Sequence, residues 1–117
     1  MPGQAVVLYG LKNCDTCRKA KRELEAAGTQ VKFVDIREDA DLPAKLPLWL
    51  KAAPDKLVNK SSATWRALTN AEKAKAGTNG EKALLSDHPT LIKRPVIESG
   101  KEVHVGWGKD VQAALIG

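Results

Sequence analysis

The hydrophobic period changes twice within the first 36 residues, and this constrains the fold more than any other feature of the chain. Ala5-Val6-Val7-Leu8-Tyr9 is a continuous apolar run stopped by Gly10. Its length and β-branched content predict a strand with cover on both faces. From Asp15 the spacing switches: Cys17, Ala20, Leu24 and Ala27 recur at helical intervals among charged residues, and Gly28 supplies a stop. Val31-Lys32-Phe33-Val34-Asp35-Ile36 then reads as a second strand. Strand, helix and strand in this order make a βαβ unit.

The middle of the chain has a different texture. Leu42 to Leu50 is apolar at helical intervals but carries Pro43 and Pro47. Pro43 suits a first helical turn, whereas Pro47 is expected to bend or divide the element. Thr69-Asn70-Ala71-Glu72 matches a capping box, with Gly77 as the stop of that helix. A further helix is expected from near Gly80 to His88-Pro89, because a residue before proline disfavours the helical region. The last quarter returns to strands. Pro95-Val96-Ile97-Glu98 and Glu102-Val103-His104-Val105 flank Ser99-Gly100-Lys101 as a hairpin. Asp110 to Ile116 reads as a short helix with Val111, Ala114 and Leu115 on one face. The outline is βαβ, an all-helical insert from about residue 40 to 90, then ββα: an α/β layer architecture in a single domain, residues 1–117.

Mixed charge and recurring apolar residues argue against disorder. No apolar run approaches the roughly 20 residues that a bilayer requires, and Met1 to Gly10 carry no basic leader region, so a cytoplasmic protein without membrane association is expected. The net charge is +5, from 19 Lys plus Arg against 14 Asp plus Glu. Those charges are interleaved: Lys12, Arg18, Lys19, Lys21 and Arg22 alternate with Asp15, Glu23 and Glu25. The aromatics Tyr9, Phe33, Trp49, Trp65 and Trp107 make no periodic stacking array, so direct DNA binding is not expected. A small anionic ligand suits the same charge.

The two cysteines, Cys14 and Cys17, lie between a predicted strand and a predicted helix. A thiol at a helix start faces unpaired backbone amides and the positive end of the helix dipole, and both favour thiolate. Lys12 and Arg18 add positive charge in sequence. Cys14 is therefore read as the exposed nucleophile, and Cys17, one turn inward, as the thiol that resolves a mixed disulfide. A zinc site would need about four ligands. His88 and His104 offer no ligand spacing, so no metal is expected. The three tryptophans and His104 are read as packing or structural residues.

The segment Tyr9-Gly10-Leu11-Lys12-Asn13-Cys14-Asp15-Thr16-Cys17-Arg18-Lys19-Ala20 resembles the N-terminal signature of the arsenate reductase (ArsC)/Spx family. Leu91-Ile92-Lys93-Arg94-Pro95-Val96 resembles its second signature, and Thr64-Trp65-Arg66-Ala67-Leu68 resembles a segment of the YffB-like branch. The likeness runs from about Val6 to Leu115. It implies a thioredoxin-like fold with a helical insert between the two halves. It also implies Cys14 as nucleophile, Arg94 as the residue binding an anion beside it, and a cis peptide at Arg94-Pro95.

The chain departs from the family pattern at two arginine positions. Arsenate reductases of the family surround their oxyanion with three arginines, and here Arg94 alone stands in its expected place. The insert position holds Asn59 next to Lys60, and the C-terminal one falls around Gly106-Trp107. Lys60 or Arg66 compensates only in part, since lysine offers a point charge in place of a planar fork. The resulting expectation is a monomeric thiol-disulfide or glutathione-dependent reductase with a Cys14-x-x-Cys17 centre. It has no bound cofactor, and glutathione or a thiol/disulfide substrate is its partner. Arg94, Lys12 and Lys60 would receive the two glutathione carboxylates. The alternatives are a Spx-like redox sensor that binds RNA polymerase, and an arsenate reductase.

Overall fold

The computed structural model describes residues 5–116; the Met1 to Gln4 part of the leader reading lies outside them. They divide into two compact units. One holds the described residues up to Ala40 together with those from Arg94 onward, and the other is Asp41–Lys93.

The first unit is a four-stranded sheet with two helices. Strand β1 (Ala5–Gly10) leads into helix α1 (Asp15–Ala26) and strand β2 (Gln30–Asp35). The β1–β2 pair is parallel, with Leu8 opposite Phe33. After the second unit, β3 (Val96–Ser99) and β4 (Glu102–Val105) form the hairpin and α6 (Lys109–Leu115) closes the described chain. Strand order is β2-β1-β3-β4, and β3 runs antiparallel to both β1 and β4. The hairpin turns on Gly100 and Lys101, between the paired Ser99 and Glu102. Gly100 has φ +60, the value that a glycine at the first turn position supplies without a steric cost. This topology is thioredoxin-like.

One face of the sheet carries the core of the unit. Val6, Leu8 and Ile97 from the strands meet Cys17, Ala20 and Leu24 from α1 and Trp107, Val111 and Leu115 at the C-terminal end. The helical spacing read for α1 holds at these three positions, whereas Ala27 caps the helix and is exposed. In α6, Val111 and Leu115 are buried but Ala114 faces water, because only every third to fourth residue of a two-turn helix reaches the sheet. Tyr9 and Val96 on the sheet are buried as well.

The second unit is helical: α2 (Leu42–Ala52), α3 (Ala63–Ala67), α4 (Asn70–Lys73), α5 (Glu81–Asp87) and a 3-10 turn at Pro89–Leu91. A single antiparallel bridge joins Val58 to Ile92. Pro47 does not divide α2. The helix buries Leu42, Leu46 and Trp49, and both prolines lie on the exposed side, where the carbonyl left without a donor can take water. The capping box forms as read, with the Thr69 hydroxyl accepting from Glu72 N–H and the Glu72 carboxylate accepting from Thr69 N–H. Helix α4 stops at Lys73, earlier than Gly77, because the chain tightens into i→i+3 bonds: Lys75 N–H to Glu72 and Ala76 N–H to Lys73.

Candidate functional site

The turn between β1 and α1 carries the reactive groups. Cys14 is the residue that starts α1, with φ −92 and ψ 117. Its N–H donates to the Leu11 carbonyl at 3.1 Å, and its own carbonyl accepts from Arg18 N–H at 3.0 Å. That second bond is the first of the helix, so the Cys14 side chain stands at the helix start. Cys14 is half-buried and Cys17 is 1% exposed; both are free thiols. Cys17 shares the inward stripe of α1 with Ala20 and Leu24.

The two sulfurs are held in opposite protonation preferences. Burial pushes the Cys14 thiol up, but the Cys17 backbone N–H, the Cys17 thiol and the Arg94 guanidinium together outweigh it. The net direction is below the ordinary thiol value of 9.0. Cys14 makes no regular side-chain cap, so this stabilisation is spread over several donors. Burial pushes Cys17 up to about 12, and the negative charge of Cys14 adds to the rise.

Arg94 is half-buried, its peptide to the buried Pro95 is cis, and the Pro95 carbonyl accepts from Gly106 N–H at 2.8 Å. The guanidinium reaches the Cys14 sulfur by hydrogen bond and by charge. It takes the part expected of Lys12 and Arg18, neither of which acts on Cys14 in this way. The Arg18 side chain is exposed and paired with Asp15. Lys12 is exposed and joins Cys17, Arg18, Lys21 and Phe33 around a cavity of about 270 Å³. The structure thus brings Cys14, Cys17 and Arg94 together in the sheet unit.

The other residues singled out in the sequence lie in the unit Asp41–Lys93. Asn59 is a turn former: its N–H donates to the Leu91 carbonyl at 2.9 Å and its Oδ1 accepts from Ser61 N–H at 3.1 Å. Arg66 is exposed and donates to the Ser61 carbonyl at 2.9 Å. Lys60 Nζ lies 5.6 Å from the centre of the Trp65 ring, and Lys73 Nζ lies 5.8 Å from it. Trp49 and Trp107 are core residues, while Trp65 is half-buried beneath these two cations. Sequence reading missed Lys73 here, although it falls in the helix that the capping box announces. His88 pairs with Glu72 at 2.9 Å and His104 with Glu102 at 3.3 Å. Among the described residues no group of three His, Cys, Asp or Glu is arranged to hold a metal ion. No helix of the described residues is long and apolar enough to cross a membrane.

The ArsC family model matches residues 9–115. An uncharacterized protein of Haemophilus influenzae is 37% identical over 112 residues, covering 94% of this chain and 98% of its own. Among solved structures, a YFFB protein superposes with a TM-score of 0.79 at 31% identity, covering 96% of this chain and 99% of its own. An arsenate reductase (ArsC) related protein from Brucella melitensis does so at 0.76 and 32%, covering 97% of each chain. Likeness of this extent, carried by a thioredoxin-like sheet with its cysteine pair at the start of α1, places the chain in the ArsC family, in its YffB-like branch.

Proposed function

We propose that this protein is a cytoplasmic thiol-disulfide reductase that works from Cys14, with Cys17 as its second thiol and glutathione as co-substrate. The observation that carries the reading is the opposite tuning of the two thiols, Cys14 lowered beside Arg94 and Cys17 raised to about 12. Of the two thiols Cys14 therefore has the greater thiolate fraction at neutral pH, and the inner one keeps its proton. In the first step the Cys14 thiolate attacks one sulfur of a mixed disulfide between substrate and glutathione. A Cys14–glutathione disulfide forms, the old S–S bond breaks, and the substrate leaves as a thiolate. In the second step a glutathione thiolate attacks that disulfide, regenerating Cys14 and releasing oxidised glutathione. Alternatively Cys17 attacks the Cys14 sulfur, its proton passing to the departing glutathione, and leaves a Cys14–Cys17 disulfide that two further glutathiones reduce to the dithiol with release of oxidised glutathione.

Arg94 suits this chemistry twice, since it lowers the nucleophile and offers a fork to a glutathione carboxylate. With Arg94 as the one arginine retained from the family's trio, arsenate is expected to be a poor substrate. Turnover of a glutathionylated peptide, run in parallel with arsenate on the wild type and on Cys14→Ser and Cys17→Ser, tests the reading. Loss of peptide turnover in Cys14→Ser, with slowed resolution in Cys17→Ser, is expected. Robust arsenate turnover without attack on the mixed disulfide would overturn it.

A further inference from the structure

The unit Asp41–Lys93 contains a cavity that the reductase chemistry leaves unused. It measures about 320 Å³ and is lined by Pro54, Asp55, Val58, Lys60, Gly77 and Glu81. That size is at the small end of ligand cavities, which run from roughly 300 to 1,000 Å³. Its walls carry both signs of charge.

Glu81 is the informative residue. It is only 7% exposed, one of two buried polar side chains among the described residues. Its Oε1 accepts from Gly77 N–H at 2.8 Å. Among the described residues it enters no ion pair, and its second carboxylate oxygen keeps access to solvent. That oxygen is left for a cation or donor entering the cavity, and a charge-assisted contact there is stronger than a neutral one. Lys60 lines the same cavity but its ammonium rests over Trp65, sharing that ring with Lys73. The ring face attracts both ammonium groups while they repel each other, so an anion placed against Lys60 would be well received. Gly77, at φ +77, directs its N–H to Glu81 and so holds the carboxylate in one position before any ligand arrives.

A cavity with an anchored anion on one wall and an ammonium held away from it on another matches a small zwitterion. We propose that it binds an α-amino acid group, whose ammonium meets Glu81 and Asp55 and whose carboxylate meets Lys60. Pro54, Val58 and Gly77 supply the uncharged remainder of the wall. The same chemistry is offered by a free amino acid and by the γ-glutamyl end of a peptide. This inference does not rest on the reductase reading; it gives Lys60, expected from the sequence to meet a glutathione carboxylate beside Arg94, a separate cavity within Asp41–Lys93.

The test is an NMR titration of the ¹⁵N-labelled full chain with L-glutamine and, separately, with S-methylglutathione, which cannot exchange disulfides. Saturable shifts centred on the amides of Asp55, Val58, Lys60, Gly77 and Glu81 are expected from at least one. Glutamine alone assigns free amino acids, and S-methylglutathione alone assigns the peptide end. N-acetylglutamine and glutamine methyl ester each lack one charge and should bind at least roughly tenfold more weakly, since each leaves a wall group unmet. Glu81→Gln keeps an acceptor for Gly77 N–H and should weaken binding by roughly the same factor, as should Lys60→Met. The absence of saturable shifts with both zwitterions, or equal affinity for the blocked analogues, would overturn the proposal without any variant being needed.

Discussion

Gly10 and the Cys17 sulfur pack directly against each other: a Cβ at residue 10 would stand 2.5 Å from Sγ and 3.1 Å from the Cys17 Cβ. The end of β1 can touch the first turn of α1 only because residue 10 has no side chain, and this contact helps bury the inner thiol. Gly10→Ala must therefore push α1 outward or force Cys17 from its rotamer. Overpacking of this kind costs about 1–3 kcal/mol. Urea unfolding should show a lower midpoint, and restoring volume with Cys17→Ala in the same chain should recover part of the loss. A Gly10→Ala protein as stable as the wild type would contradict the contact.

Alkylation separates the thiols. In the Cys17→Ser variant the remaining Cys14 should react with iodoacetamide at neutral pH faster than an ordinary thiol of pKa 9.0 allows. In Cys14→Ser the remaining Cys17 should still react slowly at neutral pH, because burial, the largest cause of its raised value, persists and leaves little access. A faster Cys17 at neutral pH would reverse the assignment.

Arg94→Ala should raise the Cys14 pKa, since it removes both a hydrogen bond and a positive charge from the sulfur. The thiolate absorbance followed against pH would report this directly, with Arg94→Lys restoring part of the shift through its charge but not its fork. The same Arg94→Ala protein should lose reductase kcat/KM while its unfolding midpoint stays close to wild type.

Stability should fall at high pH through Cys17. Its folded value, about 12, lies above its ordinary 9.0, so the folded state holds the proton more tightly than the unfolded chain. The stabilisation from this group is complete below about pH 9 and is lost as pH rises toward about 12. Urea midpoints measured across that window should decline in the wild type and decline less in Cys17→Ala.

The capping box of α4 gives the opposite slope. Glu72 is lowered from 4.5, first by the Thr69 N–H and then by His88 and the Thr69 hydroxyl. Its contribution is present above 4.5 and is lost as pH falls through the lower folded value. Thr69→Ala should cost about 1 kcal/mol at neutral pH, the usual loss for a cap of this kind. The difference between wild type and Thr69→Ala should shrink when unfolding is repeated in acid.

By itself the sequence determined most local conformation, but neither the continuity of α2 through Pro47 nor the end of α4. The continuous apolar run Ala5–Tyr9, the helical stripe of Cys17, Ala20 and Leu24, and the Ser99-Gly100-Lys101 turn each specify a conformation through near neighbours, so their strands, helix and hairpin were legible. The Thr69–Glu72 box was legible for the same reason, and the placement of Cys14 at a helix start followed from the pair's position between strand and helix. Arg94 became visible only through family resemblance, since nothing in its own neighbourhood marks it as the cation that faces a sulfur far away in the chain.

Tertiary structure decided the rest, because burial and charge depend on partners that sequence spacing does not reveal. Pro47 stays inside α2 because its side of the helix faces water. Ala114 is exposed because the short α6 reaches the sheet only with Val111 and Leu115. Arg18, close to Cys14 in sequence, spends its charge on Asp15, while the distant Arg94 acts on the thiol. Lys60 and Lys73 meet over Trp65, and Glu81 is withdrawn from water by the fold around it. Electrostatic effects on a group fall with distance in space, and only the folded chain sets those distances.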